Sequence, residues 1–369
     1  MAKAPTAVSQ HSADTNILEG KRVLITGGTG SLGKVLLRRI LGGDAGRPTQ
    51  IIVLSRDEAK QHQIRVEYQQ RYAATDEVIY KNFRDTLSFR IGDVRDYASV
   101  CAALHGIDIV FNAAALKQVP TCEYFPYEAV QTNITGPENI VRAIRDLQLP
   151  VEVVVGISTD KAVKPVNVMG MTKSIQERIF ARANLELPHT RIVIVRYGNV
   201  LASRGSVIPL FHQQIRRGGP VTVTADTMTR FLMTLDQAVD TVFEAVAHAE
   251  RGEIVVPVAP SANVIDIAKA LIGSRTIEIR MTEVRPGEKE HEILVSEEEC
   301  RHTYRRGGYY VIAPRLPELR RASDDREAAL NREYSSADAP VGLARTAALL
   351  QENQLMVDQV DLSTAELLR

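Results

Sequence analysis

The stretch that decides the fold is RVLIT at residues 22–26, followed by GGTGSLG at residues 27–33. The first part is an apolar, β-branched run typical of a buried strand, and apolar residues recur at helical spacing from Leu32 to Ile40. Glycines between a strand and a helix let the backbone approach a pyrophosphate, toward which the free N–H groups of the helix point. The stretch therefore predicts a dinucleotide site, with a glycine turn that binds no ligand as the alternative.

The same strand and helix unit recurs along the chain. Further apolar strand candidates, mostly separated by segments of helix length, occupy residues 50–54, 88–91, 107–112, 151–157 and 191–196. Nearly continuous apolar strands are typical of a parallel sheet that helices cover on both faces. Residues 17–198 are therefore expected to form an α/β domain of the Rossmann-like, doubly wound type.

The two ends and the second half of the chain differ from this pattern. Residues 1–16 are small and polar without apolar periodicity, which predicts a disordered tail. Residues 199–315 predict a smaller C-terminal α/β lobe for the substrate, interleaved with the first domain, with helices at 235–250 and 264–272. Residues 316–369 are charged and helix-prone, interrupted by Pro340, and predict a helical C-terminal extension.

Composition excludes several classes of protein. Lys plus Arg (45) equals Asp plus Glu (45) among 369 residues, so no overall charge favours nucleic acid or an anionic membrane. Apolar runs are far shorter than the ~18 residues of a membrane span. The three cysteines lie far apart without a CxxC pair, and the N-terminus lacks a signal sequence, which predicts a cytoplasmic protein. The eight histidines show no ligand spacing, so no metal is expected.

The residues after the second strand bear on the cofactor. Ser55 and Arg56 offer a hydroxyl and a guanidinium, which suit the 2′-phosphate of NADP. The alternative is that Asp57 binds a free ribose, which would make NAD the cofactor. The remaining expected cofactor contacts follow the first, third and fourth strands: Gly27, Thr29, Gly30, Ser31, Leu32, Gly33, Asp93, Val94, Ala113, Ala114 and Ala115.

The fifth strand ends in Ser158, Thr159, Asp160 and Lys161, at the edge of the sheet where open α/β folds bind ligands. An acid beside an amine can handle protons, and the alternative is a surface ion pair of little consequence. Both side chains can reach one ligand only if the strand has already turned into a loop.

Seven motifs in order carry a resemblance to a known family: TGGTGSLG, SRDE, GDVRD, NAAALKQVP, STDKAVKPVNVMGMTK, RYGNVLASRGSVIP and MTRF. The chain resembles the extended short-chain dehydrogenases/reductases. More narrowly, it resembles the nucleotide-sugar 4,6-dehydratases of polysaccharide biosynthesis that act on UDP-N-acetylglucosamine. The resemblance covers residues 17–292 and neither terminus.

The resemblance implies oxidation at C4 of the sugar, loss of water across C5 and C6, and return of the hydride to C6. Lys161 would remove the C5 proton if burial lowers its pKa, and Asp160 would protonate the departing C6 oxygen. Met169 stands where the family usually has its tyrosine base. Lys173 would bind the nicotinamide ribose, and Asp160, oriented by Thr159, would accept the C4 hydroxyl proton instead.

A UDP-sugar brings two phosphates to a protein without net charge, so local cations are required. The resemblance supports Lys117, Asn199, Ser203, Arg204, Arg230, Arg285 and Glu288 as substrate contacts. On spacing alone, a solvated surface charge is the favoured interpretation of any one of these arginines. Helices beside such sheets commonly pair, which predicts a homo-oligomer.

Two other functions stay open at this point. The first is an NADP-dependent 4-epimerase or reductase on the same fold, which needs no base for C5. The second is a non-catalytic scaffold that lost its chemistry with the tyrosine. The sequence does not distinguish inversion from retention at C5.

Overall fold

The computed structural model describes residues 16–70, 84–201, 206–283, 287–320 and 326–359. Its centre is a nine-stranded sheet whose first six strands in the chain are parallel to their neighbours. They are β1 (Arg22–Thr26), β2 (Gln50–Ser55), β3 (Leu87–Ile91), β4 (Ile109–Asn112), β5 (Val153–Thr159) and β6 (Arg191–Tyr197). Each coincides with a predicted strand to within a few residues, and the expected doubly wound sheet is confirmed.

Alternate residues of β1 show why the sheet is covered on both faces. Val23 and Ile25 pack into one core with Leu36, whereas Leu24 packs into the opposite core with Phe180. Successive side chains of a strand point to opposite faces, so a fully apolar strand needs helices on each. The helices of this half are α1 (Ser31–Gly42), α2 (Glu58–Gln70), α3 (Tyr97–Leu104), α4 (Val119–Tyr124), α5 (Pro126–Val130), α6 (Gly136–Asp146) and α7 (Val168–Glu186).

The second half of the chain builds a smaller lobe around a third core, which contains Phe211, Val221 and Leu271. Its helices are α8 (Val207–Arg216) and α10 (Val264–Ile272), and α9 (Leu235–His248) packs on the main sheet. The helices predicted at 235–250 and 264–272 therefore form. The short strands of this lobe are β7 (Val221–Val223), β8 (Thr229–Phe231), β10 (Ser261–Asn263) and β11 (Ile279–Met281).

Three later strands return to the main sheet. They are β9 (Ile254–Pro257), which lies parallel to β6, and the antiparallel pair β13 (Thr303–Arg306) and β14 (Tyr309–Ile312). Between β9 and β13 the chain forms β12 (Ile293–Val295) and the short helix α11 (Glu297–Cys300). The two halves therefore share one sheet.

The segment from residue 316 contains more strand than the sequence indicated. Besides a 3₁₀ turn (Pro317–Leu319) and one helix, α12 (Leu343–Glu352), it forms β15 (Tyr334–Ser335) and β16 (Pro340–Val341). β15 pairs with β12 and β16 with β10, so Pro340 begins a strand at the edge of a sheet, where its missing N–H is tolerated. Residues 1–15 and 360–369 of the predicted tail and extension lie outside the described residues.

A buried ion network joins the two halves. Arg196 of β6 contacts Glu177 of α7 at 2.7 Å and Glu299 of α11 at 2.8 Å. Burial raises the pKa of Glu299, but the Arg196 guanidinium lowers it more strongly, and the resulting pKa is about 2. Such a network is costly to break, because each remaining charge would stay buried without its partner. In the described ranges no helix combines the length and apolar character that a membrane crossing requires.

Candidate functional site

One cleft of about 1440 Å³ follows the carboxyl edge of the main sheet and continues under the second lobe. Most of the site residues predicted from the sequence line this cleft. Those that line it are Gly27, Thr29, Gly30, Ser31, Leu32, Gly33, Ser55, Arg56, Asp93, Val94, Ala113, Ala114, Ala115, Lys117, Thr159, Asp160, Lys161, Met169, Lys173, Asn199, Arg230 and Glu288. Ser203, Arg204 and Arg285 lie outside the described residues.

The glycine-rich turn brings its backbone close to neighbouring segments. Gly27 has φ of +67°, and a Cβ there would lie 2.7 Å from the Cα of Ala114. A Cβ on Gly33 would lie 2.4 Å from the Cα of Gly28. Gly30 precedes α1 with no side chain capping it, which leaves the first N–H groups of the helix available at the cleft. The turn fits a pyrophosphate as the sequence predicts.

The end of β2 is organised by two polar contacts. The hydroxyls of Thr29 and Ser55 are hydrogen-bonded at 2.9 Å, and both are buried. The Arg56 side chain is 52% exposed and lies 3.6 Å from Asp93. Asp57 accepts a hydrogen bond from the Lys60 backbone N–H at 3.0 Å and also pairs with the Lys60 ammonium. Arg56 is therefore the more accessible of the two groups that the sequence offered to the adenosine ribose.

Asp93 itself is held ionised. Burial raises its pKa, but hydrogen bonds from the backbone and side chain of Arg95 outweigh burial and lower it. Its N–H donates to Ser99 at 3.1 Å, so the loop after β3 is fixed by its own contacts.

The loop after β4 lies beside the glycine-rich turn, and hydrogen bonds to its backbone fix its position. The N–H of Ala114 donates to the Thr26 hydroxyl at 3.2 Å. Asn133 accepts from the Leu116 N–H at 2.8 Å and donates to the Leu116 carbonyl at 2.9 Å. These contacts keep the small residues 113–115 at the cleft wall, where a flat ring can approach them.

Asp160 and Lys161 lie in a 3₁₀ turn directly after β5, so both side chains reach the same cleft. Asp160 is fully buried, and its Oδ1 accepts hydrogen bonds from Thr159 at 2.8 Å and Lys161 at 3.1 Å. Its Oδ2 has no partner. Burial, followed by the negative charge of Glu292, raises the pKa of Asp160. The carboxyl therefore binds a proton more readily than a surface aspartate and stays protonated to higher pH.

Lys161 was predicted to act as the C5 base if burial lowered its pKa, and the structure shows the opposite shift. Burial lowers its pKa, but Asp160 and Glu292 act more strongly in the opposite direction, and the net pKa is raised. The Lys161 Nζ lies 3.1 Å from Asp160 Oδ1 and 3.1 Å from Glu292 Oε1. A lowered pKa, the condition for Lys161 to act as the base, is not met in the structure, because a second carboxylate faces the amine.

Glu292 is the residue that sequence reasoning missed. It lies just before β12, is 2% exposed, and also faces Arg230, whose Nε is 3.8 Å from its Oε1. Burial raises its pKa, yet Lys161 and then Arg230 outweigh burial and lower it. In the sequence, Glu292 ends the polar string EKEHE at residues 288–292, and no local pattern distinguishes it from the neighbouring acids.

The two residues predicted around the tyrosine position both line the cleft. Met169 is buried against Cys122 and Ala129, and a thioether has no exchangeable proton. Lys173 donates to the Ile157 carbonyl at 2.5 Å and to the Gln176 side chain at 2.6 Å. Burial lowers the pKa of Lys173 to about 7, against the opposite influence of Glu177.

The substrate contacts expected in the second lobe are partly prearranged. Arg230 donates to the backbone carbonyls of Thr229 at 2.7 Å and Glu290 at 3.1 Å, which fixes its guanidinium. Asn199 Oδ1 and Glu288 Oε2 are buried at the cleft without a hydrogen-bond partner. Unpartnered buried oxygens are costly, so they fit a ligand that donates hydrogen bonds. The cleft also contains four basic residues that the sequence did not single out: Lys60, Arg216, Arg217 and Lys289.

Comparison with known proteins places this site in a family. Residues 23–314 match the model of a family described as polysaccharide biosynthesis protein. A UDP-glucose 4-epimerase of Rickettsia typhi is 42% identical over 326 residues, which cover 86% of this chain and 91% of that protein. The protein of the same name from Rickettsia prowazekii is 44% identical over 298 residues, which cover 79% and 82%.

Solved structures agree on the fold. The structure of Pen from Bacillus thuringiensis has a TM-score of 0.81 and 33% identity, covering 92% of this chain and 99% of that one. A dTDP-glucose 4,6-dehydratase, DesIV of Streptomyces venezuelae, solved with NAD and TYD bound, has a TM-score of 0.61 and 22% identity, covering 90% and 98%. The chain belongs to the polysaccharide biosynthesis protein family and is an extended short-chain dehydrogenase/reductase of the group that contains nucleotide-sugar dehydratases and epimerases.

Proposed function

We propose that this enzyme is an NADP-dependent UDP-N-acetylglucosamine 4,6-dehydratase that forms a UDP-4-keto-6-deoxy-N-acetylhexosamine. The observation that carries the proposal is the fully buried Asp160, whose pKa is raised and which shares one cleft with Lys161. A dehydratase needs an acid to protonate the departing C6 oxygen, and an epimerase does not. We include a cytoplasmic location and a homo-oligomer in the proposal.

The dinucleotide would be held by the glycine-rich turn, the N-terminus of α1 and the loop at residues 113–115. When bound, the nicotinamide would accept a hydride from C4 of the sugar and return it to C6. Arg56 supports NADP over NAD, because its exposed guanidinium stands at the cleft where a 2′-phosphate would lie. Lys173, buried beside Met169, would bind the nicotinamide ribose.

Proton handling would fall to the residues at the end of β5. The Asp160 carboxylate would accept the C4 hydroxyl proton, and the acid so formed would deliver that proton to the C6 oxygen as water departs. Thr159, which donates to Asp160 Oδ1, orients the carboxyl. Lys161 would enter as an ammonium, so it would take the C5 proton only in its minor neutral form, after its own proton has left to solvent.

The substrate would lie between the main sheet and the second lobe. Arg230 supports an anionic group of the substrate, since its guanidinium is fixed by backbone carbonyls and lines the cleft. Lys117, Asn199 and Glu288 line the same cleft and would contact the sugar nucleotide. The choice of uridine and N-acetylglucosamine rests on the resemblance of the motifs.

A 4-epimerase is the second candidate, because the relatives at 42% and 44% identity are named UDP-glucose 4-epimerase. The test is to incubate the purified protein with UDP-N-acetylglucosamine, and separately with UDP-glucose, without added reductant. Mass spectrometry of the sugar nucleotide distinguishes the outcomes. Loss of one water supports the dehydratase, an unchanged mass with an inverted C4 supports the epimerase, and no change with either sugar favours a non-catalytic scaffold.

Three variants test the roles within the dehydratase. We expect Asp160→Asn and Lys161→Ala each to abolish turnover, because each removes a proton-handling group. Met169→Ala should retain much more activity, since the thioether transfers no proton. Circular dichroism of each variant checks that it is folded. An equal collapse of all three folded variants would contradict the assignment of roles.

A further inference from the structure

Two buried carboxyl groups, Asp160 and Glu292, share one amine. The Lys161 Nζ lies 3.1 Å from an oxygen of each. Both carboxyls are almost completely buried, and each has a second oxygen without a hydrogen-bond partner: Asp160 Oδ2 and Glu292 Oε2. The two carboxyls share this one ammonium, so any difference in their proton affinity must come from the other groups around them.

The surroundings of the two carboxyls differ in charge. Glu292 faces Lys161, Arg230 at 3.8 Å and the nearby Lys289, whereas Asp160 faces Lys161, interacts with Lys289 less strongly than Glu292 does, and is repelled by Glu292. The pKa of Glu292 is accordingly lowered and that of Asp160 raised. Neighbouring carboxyls whose environments separate their pKa values take different chemical roles, one ionised and one able to carry a proton.

We infer that Glu292 is a positioning residue, whose carboxylate holds the Lys161 amine in the cleft and keeps the exchangeable proton on Asp160. This inference rests on the proposed function, in which Asp160 delivers that proton to the C6 oxygen. Glu292 comes from the loop before β12, whereas Asp160 and Lys161 follow β5, so the second half of the chain sets the charge of the proton-handling pair.

The test removes the charge and keeps the size, with the variant Glu292→Gln. Because Glu292 raises the pKa of both Asp160 and Lys161, both values should fall when its charge is lost. The pH profile of kcat for dehydration should therefore move to lower pH as a whole. The ratio of the variant's kcat to that of the wild type should therefore be lower at pH 8 than at pH 6.

A second measurement needs no turnover. Acetylation of Lys161, measured by peptide mass spectrometry across pH and compared with the exposed Lys269 in the same protein, reports the pKa of the Lys161 amine. We expect its rate at pH 8 to rise about tenfold or more in Glu292→Gln, since neutral amine is the reactive form. Glu292→Asp, which keeps the charge, should return both the profile and the labelling towards wild type.

The control is Glu290→Gln, which removes an exposed carboxylate two residues away that lies 4.0 Å from the His291 ring. It should change neither readout. A Glu292→Gln protein with reduced kcat at every pH and unchanged Lys161 labelling would overturn the inference and leave Glu292 with a structural role. If the wild type fails to dehydrate the sugar, the proposed function fails, and the labelling alone still decides whether Glu292 sets the charge of Lys161.

Discussion

Replacement of Gly33 by alanine tests the most specific geometric feature of the dinucleotide site. The new Cβ would lie 2.4 Å from the Cα of Gly28 and 2.7 Å from the carbonyl oxygen of Gly27. Both are backbone atoms, so no side chain can rotate away. The first turn of α1 and the glycine-rich turn must then separate by about 1 Å to restore ordinary contact.

The cost follows from this displacement. Forcing an extra methyl group into a packed backbone contact costs about 1–3 kcal/mol. If that cost falls on the conformation that binds the cofactor, the Kd for NADPH rises about 5- to 150-fold, because about 1.4 kcal/mol corresponds to tenfold. The melting temperature of the free protein should fall as well, since the same contact helps to fix α1 against the sheet.

The assay is a fluorescence titration of the purified variant with NADPH, together with thermal unfolding. Gly42→Ala is the matched control, because it lies at the other end of α1 and its Cβ would approach only Asp44 Oδ1, at 3.4 Å. That variant should bind NADPH as the wild type does. A Gly33→Ala protein with wild-type affinity and melting temperature would refute the close approach of helix and turn.

Two further predictions concern the cofactor and pH. Arg56→Ala should raise the Kd for NADPH about tenfold or more and leave that for NADH nearly unchanged, because only the 2′-phosphate loses its charge-assisted hydrogen bonds; equal losses in parallel titrations would contradict this role. Burial lowers the pKa of Lys173 to about 7 from 10.5 in the unfolded chain, so between those values the unfolded state binds more protons and stability rises with pH. The unfolding free energy of wild type relative to Lys173→Met should therefore increase by up to about 1.4 kcal/mol per pH unit, measured by denaturant unfolding at pH 7 and 9.5, and a constant difference would show that Lys173 stays charged.

The first half of the fold could be predicted because its signal is local. The strands at residues 50–55 and 191–197 contain continuous apolar runs at 51–54 and 192–195, which is the pattern expected of a parallel strand buried on both faces. The return of β9, β13 and β14 to the main sheet was not predictable in the same way. These strands have four residues each, and their partners lie far away in the chain.

The predictions for the candidate site divide in the same way, because local features were predictable and a long-range contact was not. Sequence position placed Asp160 and Lys161 at the end of β5, because the carboxyl ends of parallel strands meet at one edge. The ionisation of Lys161 depended on Glu292, which approaches from a distant loop, and no spacing rule connects the two residues. A pKa is a property of the three-dimensional surroundings, so the role of Lys161 could not be read from its neighbours in the chain.

The shared sheet and the Arg196 network also bear on how this chain can be divided. A fragment that ended at residue 198 would lose β9 from the side of β6 and would leave Arg196 without Glu299. It would expose a strand edge and an incompletely neutralised guanidinium in what had been the interior. The half that carries the glycine-rich turn is therefore not expected to fold when it is expressed alone. Gene fusions and truncations of this protein should be made at its termini, because the two lobes share one sheet and one buried ion network.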